Sequence, residues 1–129
     1  MDKAMMLSPS TLAFVGDAVF GLLVRTKLSE VERPIGELHK KSVDYVNANA
    51  QAEGFEMIKD MLSEKEMSVF KRGRNNHVGG IPKSTTVGAY HAATGVEALF
   101  GYLHLSGEYD RINELFDVIW NGISAKNNM

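Results

Sequence analysis

The chain has 129 residues, of which 44% are hydrophobic and 23% charged, with a formal net charge of −2 at pH 7 and no cysteine. This length suits one domain with one core, and without thiols neither a disulfide framework nor a thiolate metal centre can form. The longest apolar stretch, residues 12–24, contains Asp17 and is shorter than the roughly 20 apolar residues of a membrane helix. We expect a single soluble domain over residues 1–129, cytoplasmic, with residues 125–129 as a loose tail.

The apolar residues follow a helical pattern along nearly the whole chain, and no segment alternates as a strand does. Ser8 followed by Pro9 predicts the start of a mostly buried helix that continues to Leu28. A second helical region covers about residues 35–62, with Gly54 as a bend or division point.

The second half of the chain is also predicted to be helical. Ser63, with a glutamate three residues later, has the sequence of a capping box and predicts a short helix toward Phe70. Ser84 or Thr85 caps the next helix, which extends to about Leu105. A last amphipathic helix follows, and its apolar face consists of Ile112, Leu115, Phe116, Ile119 and Trp120. The predicted fold class is therefore all-α, a helical bundle.

Residues 71–84 are predicted to form a long basic loop, because their glycines, asparagines and proline do not favour a regular helix. No acid occurs from Lys71 to Val96, so one surface of a mildly acidic protein is positive. The side chains suited to a phosphate ligand are Lys71, Arg72, Arg74, Asn75, Asn76, His77 and Lys83. The alternative is a solvated connector that lacks acids by chance.

Two carboxylates, Asp17 and Glu97, are surrounded in sequence by apolar residues and glycine. A carboxylate on a mostly buried helix is costly unless it is paired, hydrogen-bonded or bound to a metal. Small residues lie four positions before and after each acid, namely Ala13, Gly21, Ala93 and Gly101. Because residues four apart share a helix face, each helix has a narrow strip with one carboxylate at its centre. Two such strips can approach closely and aim both acids at one ion.

Oxygen ligands of this kind suit Mg²⁺, with Mn²⁺ as a substitute, and these ions keep several waters and bridge to phosphate oxygens. The alternative is that the small residues serve helix packing while each acid caps a helix or pairs with a cation such as Arg25. The histidines have no metal-ligand spacing, and no serine is framed as a nucleophile. If the acids are functional, the remaining chemistry is that of a hydrolase that uses carboxylates and a divalent ion.

Residues 12–18, Leu-Ala-Phe-Val-Gly-Asp-Ala, resemble the signature Glu-Phe-Leu-Gly-Asp-Ala of the ribonuclease III family. Residues 95–103 resemble the second catalytic segment of that family, and the order and separation of the two segments match as well. The resemblance covers essentially the whole chain. Because no double-stranded-RNA-binding domain follows, the chain is most similar to the mini branch of the family.

The resemblance implies the family's helical endonuclease fold, with Asp17 and Glu97 binding metal and acting in catalysis. Phe14 corresponds to an aromatic residue that docks into the partner subunit of a homodimer; its alternative role is ordinary core. Two positions depart from the family pattern, since Ala13 replaces a glutamate and Thr94 replaces an aspartate. Fewer protein ligands and looser metal binding are therefore expected.

The activity that the resemblance implies is Mg²⁺-dependent cleavage of double-stranded RNA, leaving a 5′-phosphate and a 3′-hydroxyl. The mini branch matures the ends of the 23S precursor of large-subunit ribosomal RNA, so that RNA is the expected partner. Duplex RNA is recognised mainly by shape, phosphates and 2′-hydroxyls, which suits the basic loop. Two alternatives remain: a non-catalytic, ribosome-associated module that binds double-stranded RNA, and a helical protein-interaction domain with no role on RNA.

Overall fold

The computed structural model describes residues 2–76 and 85–128, and every regular element within them is helical. The α-helices are α1 (Pro9–Leu28), α2 (Ile35–Val46), α3 (Ala48–Ile58), α4 (Glu64–Arg74), α5 (Val87–Leu105) and α6 (Tyr109–Asn127). Short 3-10 helices cover Ala4–Met6 and Lys59–Met61. The all-α prediction is confirmed. No helix in these two described stretches is long and apolar enough to cross a membrane.

Two predicted helix starts are confirmed by their hydrogen bonds. Ser8 Oγ accepts from the Thr11 amide at 3.1 Å, and Pro9 occupies the first helical position. Ser63 and Glu66 form the complete capping box: Ser63 Oγ accepts from the Glu66 amide at 3.1 Å, and the Ser63 amide donates to Glu66 Oε1 at 2.8 Å. These motifs act locally, which is why the sequence predicts them well.

The second helical region divides at Asn47, so the prediction of a division at Gly54 is wrong. The Asn47 side chain accepts from the Ala50 amide at 2.8 Å and donates to the Val43 carbonyl at 2.7 Å, so it caps both helices that meet there. Gly54 lies inside α3, where a Cβ would come within 3.0 Å of the Ile119 side chain. Its small size serves packing between α3 and α6.

Helix α4 continues to Arg74, so the predicted start of the basic loop at Lys71 is wrong. Gly73, which favoured a loop in the sequence, lies where α4 packs on α5. A Cβ there would be 2.7 Å from the Ala98 Cβ and 3.0 Å from the Thr94 carbonyl oxygen. A residue that weakens an isolated helix therefore permits close helix packing in the folded chain.

Two other helix boundaries differ from the prediction. Helix α5 begins at Val87, and Thr86 is its cap, accepting from the Ala89 amide at 3.1 Å. The predicted cap at Thr85 is therefore wrong by one residue, and Ser84 lies outside the described residues. Helix α6 extends to Asn127, which makes most of the predicted loose tail helical.

Helix α5 forms the centre of the bundle, and its residues from Val96 to Leu103 are buried apart from Glu97. Phe20 of α1 packs against Phe100 and Phe116, with ring centroids 5.5 and 5.6 Å apart. Helix α1 is buried only on the side that faces this core, so the prediction of a mostly buried helix is wrong: its other side carries apolar side chains in solvent. The core thus holds α1 and α5 side by side.

Candidate active site

Asp17 and Glu97 are brought together by the contact between the backbones of α1 and α5. A Cβ on Gly16 would lie 1.6 Å from the Glu97 carbonyl oxygen, and one on Gly101 would lie 1.9 Å from the Leu12 carbonyl oxygen. Only glycine permits so close an approach at both positions. The acid that follows Gly16 is consequently placed within hydrogen-bonding reach of Glu97.

The prediction of two facing small-residue strips is confirmed in part. Gly101 and Ala13 are buried where the helices meet, as expected. Gly21 does not take part, because a Cβ there would have no atom within 4 Å. The close contact on α1 is made instead by Gly16, directly before Asp17. A search for small residues four positions from the acid does not find this glycine.

The surroundings of Glu97 disfavour its ionised form. The pKa of Glu97 is raised from the ordinary 4.5 to about 8, chiefly by burial and then by the charge of Asp17 and a hydrogen bond with it; a hydrogen bond with Gln51 acts in the opposite direction. Burial and a like charge both disfavour the ionised form of an acid. A cation bound between the two carboxylates would offset this cost and stabilise the ionised form of Glu97.

No described cation neutralises this pair. Among the ion pairs of residues 2–76 and 85–128, none within 4 Å involves Asp17 or Glu97. Arg25 lines the same cleft of about 450 Å³ as Asp17 without forming such a pair. Pairing with Arg25, which the sequence left open, is not observed. The same described residues contain no group of three or more His, Cys, Asp or Glu suited to a metal, so this site offers two carboxylates.

Glu97 opens into a second cleft of about 560 Å³. Its polar lining comes from the α2–α3 junction, from residue 85 and from α5, and consists of Asn47, Asn49, Gln51, Thr85, Tyr90 and Thr94. Val46 borders both this cleft and that of Asp17. The cleft therefore presents hydroxyl and amide groups beside a carboxylate, which suits a polar, phosphate-bearing ligand.

The two family departures have structural consequences. The Thr94 hydroxyl donates to the Tyr90 carbonyl of its own helix at 3.1 Å, and Ala13 is buried in the hydrophobic core. Neither residue supplies a charged oxygen where the family has one. Sequence reasoning did not identify Gln51, which is only 3% exposed and lines the Glu97 cleft. The only sequence feature that could have drawn attention to Gln51 is its position, as a polar residue one turn after the Asn47 cap.

The predicted basic residues have unequal environments. Lys71 and Asn75 are exposed at the end of α4, and the Arg74 guanidinium lies 5.9 Å from the centre of the Phe70 ring. Asn76 donates to Ser10 Oγ at 2.7 Å. The Arg72 guanidinium donates to two backbone carbonyls of the N-terminal segment, at Met5 and Leu7, so it anchors that segment. The predictions for His77 and Lys83 concern residues outside those that the structure describes.

Phe14 projects from α1 with 81% of its surface exposed, which excludes a role in the core of this chain. Ala18 and Leu22 follow at four-residue intervals and are exposed as well, Leu22 at 66%. Residues at this spacing share one helix face. Phe14, Ala18 and Leu22 thus form an apolar α1 face next to Asp17.

The helical bundle with two carboxylates at the α1–α5 contact belongs to the ribonuclease III family: residues 10–108 match the model of the Ribonuclease III domain. Among curated proteins, the chain is 47% identical over 118 residues to Mini-ribonuclease 3 of a Thermoanaerobacter species, covering 91% of this chain and 83% of that one. It is 36% identical to Mini-ribonuclease 3 of Clostridium tetani, covering 89% and 78%.

A solved structure agrees with this family assignment. A crystal structure of a protein from Fusobacterium nucleatum superimposes with a TM-score of 0.84 at 30% sequence identity, covering 89% of this chain and 93% of that one. The predicted family resemblance is confirmed.

Proposed function

We propose that this chain is a metal-dependent endoribonuclease that cuts double-stranded RNA, with Asp17 and Glu97 binding the metal and acting in catalysis. The observation that carries the proposal is the pair of carboxylates held together by Gly16 and Gly101, in a chain of the ribonuclease III family. The relatives named Mini-ribonuclease 3 support the same activity.

The residues present fit a divalent ion such as Mg²⁺ or Mn²⁺. The raised pKa of Glu97 reflects burial first and then repulsion by Asp17, and a bound cation would offset both. Two carboxylates leave most coordination positions to water and phosphate oxygens, as Mg²⁺ commonly requires. When bound, the ion supplies an activated water and stabilises charge on the attacked phosphate.

The proposed reaction is hydrolysis of a phosphodiester held beside the two carboxylates. Burial and the neighbouring Asp17 raise the pKa of Glu97, so the ionised pair favours a cation beside a phosphodiester in the adjoining cleft. Water attacks the phosphorus in line and the bond to the 3′ oxygen breaks. The phosphate stays on the 5′ end of one fragment, and the 3′ oxygen takes up a proton to become a hydroxyl on the other.

The basic end of α4 is the proposed RNA contact outside the cleft. Gly73 packs against Thr94 and Ala98, which belong to the same turns of α5 as Glu97, so the end of α4 lies beside the catalytic helix segment. Asn75, Asn76, His77 and Lys83 extend the proposed contact. The contribution of Arg72 is indirect, because its guanidinium already anchors the N-terminal segment.

Reversing charge at this contact should weaken RNA binding. The double variant Lys71→Glu with Arg74→Glu is expected to raise the Kd for a long RNA duplex by roughly tenfold or more, and to reduce the salt dependence of binding, because fewer counterions are released. Filter binding at several salt concentrations measures both. The control Lys126→Glu changes an exposed lysine of α6. If the double variant binds like this control, the proposed contact is wrong.

The apolar α1 face is the proposed homodimer surface, with Phe14 docking into the partner subunit. A large aromatic side chain that is 81% exposed beside Leu22 is typical of an interface anchor. Dimerisation would place two Asp17/Glu97 sites on one duplex, each cutting one strand.

Phe14→Asp should convert the protein to a monomer, because the interface would have to bury an unpaired charge. Sedimentation velocity at micromolar concentration is expected to show half the wild-type mass with helical content retained. Val31→Asp, which also replaces an exposed apolar residue, is the control and should leave the mass unchanged. A dimeric Phe14→Asp protein would contradict the proposed interface.

The proposed substrate is the 23S precursor of large-subunit ribosomal RNA, and the proposed location is the cytoplasm. The basis is the similarity to proteins named Mini-ribonuclease 3 together with a cleft suited to a polar backbone. A ribosome-associated module that binds double-stranded RNA without cutting it is the second candidate, supported by the two acids that this site lacks at Ala13 and Thr94.

One incubation distinguishes the two candidates. A long RNA duplex and a single strand of the same sequence are mixed with the wild-type chain, in Mg²⁺ and in EDTA. The nuclease predicts fragments of the duplex alone, in Mg²⁺ alone, with 5′-phosphates and 3′-hydroxyls. Duplex binding without cleavage over a wide range of Mg²⁺ and Mn²⁺ would favour the non-catalytic module, and absence of both binding and cleavage would favour a protein-interaction domain.

A further inference from the structure

Gln51 is the most buried polar side chain at the Glu97 cleft, with 3% of its surface exposed. It lies in α3, one turn after the Asn47 cap. A buried amide normally satisfies both its nitrogen and its oxygen with hydrogen bonds. Gln51 does so only on one side, which points to a partner that the described residues do not supply.

The orientation of the Gln51 amide follows from its donor. Nε2 donates to the carbonyl of Val46, the last residue of α2, at 3.0 Å, so the nitrogen is turned toward the α2–α3 junction. The amide also lines the same cleft as Glu97 and lowers the pKa of that carboxyl, as a nearby hydrogen-bond donor does. One side chain therefore connects three elements: the end of α2, α3, and the catalytic turn of α5.

The other end of the amide, Oε1, is buried and has no hydrogen-bond donor among the described residues. An amide oxygen is a suitable acceptor for a water that a hard divalent ion polarises. Few other groups are available for this role, because the described part of the site offers two carboxylates and the Thr94 hydroxyl donates to its own helix.

We infer that Gln51 is a positioning residue of the metal site: its nitrogen holds the Glu97 carboxylate, and its oxygen accepts a hydrogen bond from a water bound to the ion. A neutral acceptor avoids adding a third negative charge to an already repelling pair. The inference rests on the proposed function, since it assumes that Asp17 and Glu97 bind the ion.

The test uses Mn²⁺ alone as the probe, with the fraction bound measured by electron paramagnetic resonance on the wild-type protein, Gln51→Met and Asp17→Asn. Methionine is similar to glutamine in length but lacks its hydrogen-bonding groups.

Loss of a group that orients metal ligands commonly weakens metal affinity by roughly tenfold or more. We therefore expect the Kd for Mn²⁺ to rise by about tenfold in Gln51→Met, and the Mg²⁺ concentration for half-maximal cleavage to rise by the same factor. At saturating Mg²⁺, kcat should stay within about threefold of the wild type.

Two controls separate a metal role from a structural one. Ser124→Ala removes the 2.6 Å hydrogen bond to the Tyr45 hydroxyl, a part-buried interaction outside both clefts, and should leave the Mn²⁺ affinity unchanged. Thermal unfolding in EDTA establishes that each variant is folded. If Gln51→Met does not fold, Gln51→Asn keeps the amide but shortens its reach, and is expected to weaken Mn²⁺ binding in the same way.

The outcomes are distinguishable. A Mn²⁺ Kd within twofold of the wild type in the folded Gln51 variants, with Asp17→Asn clearly weakened, would overturn the role of Gln51 alone. Equal Mn²⁺ binding by the wild type and Asp17→Asn would overturn the proposed metal site itself, and the role of Gln51 with it.

Discussion

Glu97→Gln is expected to reduce cleavage of double-stranded RNA by roughly 10³-fold or more, because loss of a charged group that stabilises the transition state has effects of this size. The substitution keeps the shape of the side chain and removes only its ability to ionise beside Asp17. RNA affinity and the mass in solution should remain those of the wild type. Single-turnover cleavage of a labelled duplex in Mg²⁺ measures the effect.

Two comparisons make this result specific. Asp17→Asn should lose activity to a similar extent, since both acids are proposed to hold the same ion. Glu108→Gln makes the same chemical change at an exposed position before α6 and should cleave at the wild-type rate. Retention of more than a tenth of wild-type activity by Glu97→Gln would contradict a catalytic role for Glu97.

The same substitution should stabilise the metal-free protein at high pH. The pKa of Glu97 is about 8 when folded and near its ordinary 4.5 when unfolded. The folded state therefore binds the additional proton between these values, so stability is fully present below pH 4.5 and is lost as pH rises through 8.

Glutamine mimics the protonated acid at every pH. In EDTA, Glu97→Gln should therefore match the wild type at pH 4 and exceed its unfolding free energy by about 2 kcal/mol at pH 9, a value reduced for the partial exposure of the side chain. Urea denaturation at the two pH values measures the difference. Equal stability at pH 9 would mean that neither burial nor Asp17 raises the pKa of Glu97 in the folded protein.

Gly16→Ala is the substitution expected to damage the fold most. The added methyl carbon would stand 1.6 Å from the Glu97 carbonyl oxygen, and a backbone atom in the middle of a buried helix cannot move away without separating α1 from α5. We expect a loss of about 4 kcal/mol or more of unfolding free energy, near the upper limit for single substitutions. Urea denaturation followed by circular dichroism measures this loss.

Gly21→Ala is the matched control on the same helix. Nothing lies within 4 Å of the position its Cβ would occupy, so alanine should raise stability by roughly 0.5–1 kcal/mol through the lower entropy of the unfolded chain. If Gly16→Ala and Gly21→Ala have the same stability, the two helices do not approach as closely as the structure indicates.

The sequence predicts best where the deciding interactions are local. Ser8, Ser63 and the apolar face of α6 act over one or two helical turns, and each is found as predicted. Asp17 and Glu97 attract attention for a similar reason, since a carboxylate amid apolar neighbours is visible without knowledge of the fold. The family motifs then specify which chemistry to expect at them.

Glycine shows where local prediction fails. Gly54 and Gly73 resemble helix breaks in the sequence, yet both lie inside helices because another helix passes too close for a side chain. The break between α2 and α3 comes instead from Asn47, which caps both helices. Glycine permits either a turn or a close contact, and only the position of the neighbouring helix distinguishes them.

Helix content, the caps at Ser8 and Ser63, the family and the two candidate acids can thus be obtained from the sequence, because each depends on residues within a few turns. The partners of those acids depend on the packing of distant segments. Gly16 rather than Gly21 contacts α5, Phe14 faces solvent rather than core, and Gln51 reaches Glu97 from a helix that sequence patterns left unremarked. Helix periodicity describes one element at a time, whereas a site formed by three helices depends on how they cross.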